Sequence, residues 1–303
     1  TANASLTPPT LWNVDDAVLD ADTNYINAVR VRTRRESTQA DSFFARILGF
    51  AGFNVDADAV AYIGFAGKLN PEEVDQPIAI CIQSIEDSTG KYTCNTGRMS
   101  NSGSNSETHN TSAWTNFTQP CQTASTSSVR PLVCSSGNPL ALNFGIGVGA
   151  TGGEQAITHA DLRTCFGPAT RTTPWNLTLP VIDCPGNNPS NCAPVKGAVN
   201  IDIVWISDND ASGDESKLET EDFPPASMGP TAKGTWTCPA GYSRVQCWDH
   251  FVDFFDLQNV DNLPATYARR SIYFLPSCAV HEPAGLSGGQ NYGILAKIPV
   301  LVN

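Results

Sequence analysis

The first eighty residues contain no cysteine, and the ten that exist all fall between Cys81 and Cys278. No apolar run reaches the roughly 18 to 20 residues needed to cross a bilayer, which excludes a helical span within this sequence. Cations are scarce: 18 Lys and Arg stand against 30 Asp and Glu, for a formal net charge of -12. That balance argues against nucleic acid and anionic membrane surfaces as partners, since both reward basic residues. The closest cysteines, Cys184/Cys192 and Cys238/Cys247, are too far apart for the CxxC spacing of structural zinc. A G-x-S-x-G elbow, an HExxH pair and a P-loop are all missing, as is any internal repeat. No charged-then-apolar signal region opens the chain, and its first residue is Thr1. The sequence therefore reads as a processed form or an excised part, with an export signal or membrane anchor upstream.

An even, dense set of cysteines points to disulfides, which persist in oxidising compartments. The protein is expected outside the cytoplasm, secreted or at the cell surface. With 303 residues the chain can bury a substantial core, so the bridges brace a domain and do not rescue a mini-protein. Ten cysteines allow on the order of a thousand connectivities, and sequence does not choose among them. Proximity suggests Cys81 with Cys94, Cys121 with Cys134, Cys184 with Cys192 and Cys238 with Cys247. This leaves Cys165 for Cys278. Each short loop would be worth about 2 to 3 kcal/mol in the chain-entropy model.

Residues 1–24 are polar and read as an irregular lead-in. Residues 25–34 set Ile26, Val29 and Val31 among polar and basic neighbours, a strand pattern. Its arginines, Arg30, Arg32, Arg34 and Arg35, make either an anion-binding patch or, more simply, a solvated strand face. Asp41 can cap a short helix with Phe43, Phe44, Ile47 and Leu48 as its apolar stripe and Gly49 as its stop. Residues 54–65 alternate Val55, Ala57, Ala59 and Ala61 as a second strand, closing a compact unit near Gly67. Beyond it, residues 78–82 read as a buried strand. Residues 86–130, rich in Ser, Thr, Asn and Gly, read as long loops anchored by Cys94 and Cys121. Residues 156–163 are the best remaining helix. Strands are expected at 177–182, 199–206, 271–275 and 294–302. With 24 Gly and 21 Pro punctuating short strands, the fold class is α+β and β-rich. It divides into a strand-helix-strand module over residues 1–67 and a disulfide-stapled, mostly-β domain over residues 68–303.

One segment has metal-ligand spacing. Residues 208–219 place Asp208, Asp210 and Ser212 at alternate positions, Gly213 sixth, Asp214 seventh and Glu219 twelfth. Calcium takes six to eight oxygens, and a sharply turned loop with this spacing can gather them from one segment. The flank departs from the EF-hand pattern, because residues 201–206 read as a strand and not as an entering helix. Two readings stand: a structural calcium loop, or an exposed acidic turn. Catalytic constellations are poor. Among His109, His159, His250 and His281, His250 sits beside an acid in Trp248-Asp-His250, where local packing next to Cys247 explains it. His281-Glu-Pro reads equally as metal ligands or as a turn. Six scattered tryptophans, Trp12, Trp114, Trp175, Trp205, Trp236 and Trp248, read as packing and not as a carbohydrate platform. Asn3, Asn110, Asn116 and Asn176 begin N-x-Ser/Thr sequons, which matter only in a glycosylating host.

Residues 28–33, Ala-Val-Arg-Val-Arg-Thr, are followed by Ser-Phe-Phe-Ala-Arg-Ile-Leu-Gly at 42–49 and Val-Asp-Ala-Asp-Ala-Val-Ala at 55–61. This order resembles the pilin-like region of TadE/TadG-type proteins of bacterial tight-adherence (Flp) pilus systems, where a strand leads to an F-F-A-x-[IL]-x-G helix and then a strand of alternating Val and Ala. The closing residues 292–300 resemble that family's final strand. The resemblance implies a pilus-associated surface protein normally anchored by an N-terminal membrane helix, which this sequence lacks. Some relatives carry a von Willebrand-type D-x-S-x-S metal motif. Here Asp214 stands where the second Ser belongs, so that site is not carried over.

Together these readings give a non-enzymatic, extracytoplasmic structural or adhesive component of a surface filament or tight-adherence pilus. Its expected partners are other filament subunits, including copies of itself, with membrane contact only through the missing anchor. The alternative is a secreted calcium-dependent carbohydrate-binding adhesin module. A secreted hydrolase is a distant third, requiring an acid pair and a histidine in one deep pocket.

Overall fold

The computed structural model describes residues 28–40, 53–62, 66–90, 92–94, 96–101, 111–152, 156–168, 170–187, 189–207, 224–278 and 300–302. Its strands are β1 (Ala28–Ala40), β2 (Phe53–Tyr62), β3 (Lys68–Leu69), β4 (Ile78–Cys81), β5 (Arg98–Asn101), β6 (Ser112–Thr115), β7 (Leu142–Asn143), β8 (Gly147–Thr151), β9 (Trp175–Ile182), β10 (Cys192–Ile206), β11 (Ser227–Thr231), β12 (Gly234–Thr237), β13 (Ser271–Pro276) and β14 (Val300–Val302). Among the described residues three α-helices accompany them: α1 (Thr126–Val129), α2 (Ala156–Phe166) and α3 (Arg244–Phe255). The fold is α+β and β-rich. Residues 41–49, read as a short helix, lie outside the described residues.

The strands form two principal sheets. The first has the order β1-β2-β14, so its third strand comes from the far end of the chain. The second has seven strands, ordered β5-β13-β10-β8-β6-β4-β9, with an added pairing of β10 to β9. That pairing closes a ring. β4 pairs with β6, β6 with β8, β8 with the start of β10, the next stretch of β10 with β9, and β9 in parallel with β4. The long β10 makes this possible, because Cys192–Pro194 face β8 while Ile201–Ile206 carry β13 along the same edge. A five-stranded barrel thus has two further strands, β13 and β5, splayed from its tail.

Alternation along the ring strands sorts their side chains into two cores. Ile78, Ile80, Leu177, Leu179, Val181, Val199, Ile201 and Ile203 join a large cluster with Leu162 and Phe166 of α2 and Trp248, Phe251 and Phe255 of α3. Helices do not fit inside five strands, so this cluster is the outer one. The other contains Ala79, Ala113, Ala150, Ala193 and Ala198 with Val148, Val195 and Phe117. A barrel of so few strands has a narrow interior, and small side chains suit it. Gly147 serves the same economy: a Cβ there would stand 2.7 Å from the Cys121 sulfur and 2.6 Å from that of Cys192.

All ten cysteines are bridged: Cys81–Cys184, Cys94–Cys278, Cys121–Cys192, Cys134–Cys165 and Cys238–Cys247. Of the pairs suggested by proximity, only Cys238–Cys247 is present. The others are overturned by strand adjacency. Parallel pairing sets Cys81 of β4 beside Ile182, two residues from Cys184. Antiparallel pairing of β8 to β10 carries Cys192 to the barrel end where Cys121 lies.

One other expectation needs correction, and one element was not read from the sequence. Residues 86–130 are not all loop: they supply β5, β6 and α1. The polar residues Arg98, Ser100, Asn101, Thr111, Ser112 and Thr115 are buried there, with Thr115 Oγ1 donating to the Gly149 carbonyl at 2.9 Å and the Thr111 carbonyl accepting from Ser84 Oγ at 2.6 Å. Residues 244–255 form α3, opened by a capping box in which Ser243 Oγ accepts from Gln246 N and Gln246 Oε1 accepts from Ser243 N at 2.9 Å.

Candidate functional site

In the first sheet, β1 is antiparallel to β2 with Val29 opposite Ala61, Val31 opposite Ala59, Thr33 opposite Ala57 and Arg35 opposite Val55. The alternate positions set Arg32 opposite Asp58 and Arg34 opposite Asp56, while Arg30 meets Val60. Cross-strand acids therefore stand in register with two of the four arginines. Val31, Ala57 and Ala59, neighbours on the other register, are exposed, Val31 by 54%. β14 lies on the far side of β2 with Leu301 opposite Ala61 and Val302 opposite Val60. β2 is thus the central strand.

The chain leaves this sheet after β2 and returns to it at β14, and everything between includes the barrel. The place where the chain leaves the barrel is tied down densely. Cys278 is bridged to Cys94. Tyr92 Oη donates to the Ser277 carbonyl at 2.8 Å, and Ser277 N donates to the Asn200 carbonyl at 2.9 Å. Arg98, 1% exposed, donates through Nη1 to Asn262 Oδ1 at 2.9 Å and through Nε to Thr93 Oγ1 at 3.1 Å. Burial lowers its pKa, and Asp256 and Asp87 oppose that shift. On the incoming side, fully buried Asn138 accepts from Val74 N at 2.8 Å and donates to the carbonyls of Asn70 and Leu140 at 2.9 and 2.7 Å.

An acidic corner adjoins the Cys81–Cys184 bridge. Glu86 is held up to about pKa 7 by partial burial, then by the charges of Asp87 and Asp183. Asp183 Oδ1 accepts from Gln83 Nε2 at 3.2 Å. A carboxyl whose folded pKa is raised keeps a proton that the unfolded chain has already released. Between about pH 4.5 and about pH 7 its stability contribution therefore falls as pH rises. Glu86→Gln is expected to flatten that part of the stability–pH profile and to raise the melting temperature at pH 8. Thermal melts from pH 4 to 8 check this, and an unchanged slope would refute it.

The remaining sequence-predicted residues are placed as follows. Asp208, Asp210, Ser212, Asp214 and Glu219 lie outside the described residues, as do His109 and His281. Among the described residues there is no cluster of three or more His, Cys, Asp or Glu able to hold a metal ion. His159 is buried on α2, and His250 packs against the rings of Tyr242 and Phe254, as local packing predicts. Trp114, Trp205, Trp236 and Trp248 are fully buried. Trp248 packs edge-on to Tyr267 and Tyr273 at 5.0 and 5.1 Å. Trp175 is covered by the Arg171 guanidinium at 5.7 Å. None of these five offers a sugar-stacking platform. Sequence reasoning missed α3, though its signal was present: Ser243-x-x-Gln246, then Trp248, Phe251, Val252 and Phe255 at helical spacing.

No helix among the described residues is long and apolar enough to cross a membrane. No curated protein and no solved structure matches the chain. A family model does match its N-terminal part, and the match takes in the segments on which the tight-adherence resemblance rests, stopping one residue short of the end of β2. Residues 3–61 are similar to the putative Tad-like Flp pilus-assembly family.

Proposed function

We propose that this chain is a non-catalytic, extracytoplasmic structural component of a tight-adherence (Flp) pilus-assembly apparatus. The observation that carries the reading is the match of residues 3–61 to the pilus-assembly family, over the segment that supplies β1 and β2. In this reading, residues 1–67 together with β14 join the apparatus, with other pilus subunits and copies of this chain as partners. The disulfide-braced remainder faces the environment as a rigid, adhesive outer part. Five bridges fit an oxidising compartment outside the cytoplasm. The test is complementation. A strain lacking the chain loses pili, regains them with the wild-type chain, and does not regain them with a variant whose β2 is broken. Normal piliation of the deletion strain would refute the role.

Residues 208–219, which follow directly on β10, are proposed as a structural calcium loop. Its donor set is all oxygen, as a hard cation prefers. Calcium added to chelator-treated protein is expected to raise the melting temperature, and Asp208→Asn/Asp210→Asn to abolish the rise. A melt indifferent to calcium removes the loop from consideration and leaves the pilus role untouched.

A further inference from the structure

The second domain is inserted between two adjacent strands of the first sheet. The chain leaves from β2, builds the barrel and its helices, and comes back to lie beside β2 as β14. An insertion held by two connections is open to unravelling when those connections are pulled. Here the outgoing connection is bridged at Cys278 to Cys94, close in sequence to the incoming one, across a separation of 184 residues.

We infer that the Cys94–Cys278 bridge takes the inserted domain off the load path, so that tension across the two connections cannot unravel it. Load arriving at Lys68 runs along roughly 26 residues to Cys94, crosses the bridge and leaves at Cys278. Nothing between Cys94 and Cys278 is stretched. The short loaded segment is itself resisted in stages. β3 pairs with β7, Asn138 holds the backbone of Asn70 and Val74, and β4 sits between β6 and β9 in the barrel. Cys81–Cys184 then stops peeling before Cys94 is reached. On the outgoing side, the Ser277 backbone is held by Tyr92 and Asn200 next to the bridge. A single bridge placed at the neck protects more chain than any other pairing in this molecule.

The purpose of such a device rests on the filament reading, because a surface filament carries tension. The mechanical property belongs to the isolated chain and is tested without pili. Single-molecule pulling of the oxidised full-length protein, through azide-bearing side chains installed at Lys68 and Ser277, reads it directly. The oxidised wild type is expected to extend by no more than ~90 Å, at about 3.5 Å per residue. With Cys94→Ser/Cys278→Ser, the shortest path runs through Cys81–Cys184 and Cys238–Cys247 over roughly 97 residues, nearly fourfold longer. Full reduction releases roughly 209 residues, about eightfold longer. An oxidised wild type that extends by several hundred ångströms overturns the inference, as does a double variant no longer than wild type. Should the double variant fail to fold, reductant flowed over a tethered wild-type molecule gives the same comparison. A short extension in a protein whose deletion leaves pili intact would uphold the clamp and sink the pilus role.

Discussion

Replacing Cys81 and Cys184 together by alanine is expected to cost about 4.7 kcal/mol of stability, against about 2.6 kcal/mol for Cys238 and Cys247. The difference comes from the chain closed by each bridge, 103 residues in the first case and 9 in the second. A cross-link stabilises chiefly by denying the unfolded chain its freedom, and that denial grows with the logarithm of loop length. The first bridge has a packing role as well. Both of its cysteines are fully buried and belong to the cluster filling the barrel, among Ala79, Val195 and Ala198. Alanine there leaves a void, so the measured loss should sit at or above the entropic figure. Urea denaturation of the two double variants, compared with the wild type under oxidising conditions, measures both losses. Equal losses would refute the dependence on loop length. Thiol labelling after unfolding gives a second readout: Cys81→Ala should leave one free thiol, at Cys184, with Cys94 still bridged.

Why this pairing was not legible in the sequence follows from where it is decided. The cysteine count and the lack of metal spacing pointed correctly to bridges. Which sulfur meets which is set by strand neighbours far apart in the chain, such as β4 and β9, or the start of β10 and β8. Residues 177–182 and 199–206 were readable as strands because their apolar runs are dense. β5 and β6 were not, since Arg98, Ser100, Asn101, Ser112 and Thr115 mimic a loop composition. They are buried nonetheless because partners across the sheet satisfy them. Asn101 Nδ2 reaches Ser271 Oγ at 3.3 Å, and Thr111 Oγ1 accepts from Asn101 N at 3.1 Å. Such strands are stabilised by a finished sheet and carry little local signal of their own. α3 is the opposite case, since its cap and apolar stripe are entirely local.

Val60→Pro is expected to abolish pilus formation while leaving the disulfide-braced domain folded. Val60 occupies the middle of the central strand of the first sheet, opposite Arg30 on one side and Val302 on the other. Proline has no N–H to give, so whichever neighbour that group serves loses a ladder bond, and its ring disturbs the pairing around it. A strand flanked on both sides does not tolerate this, and proline is confined to edge strands and bulges. A three-stranded sheet has little reserve to absorb such a loss. The barrel has its own reserve, a large outer core and a second one inside the ring. Near-UV circular dichroism, dominated by the buried Trp114, Trp205, Trp236 and Trp248, should therefore be unchanged in the variant. Electron microscopy of the complemented strain then decides. Bare cells carrying a folded, exported variant place the assembly function in the segment similar to the pilus-assembly family. Normal pili would mean that the β1-β2-β14 sheet is dispensable, and that any contribution to the filament comes from the braced domain instead.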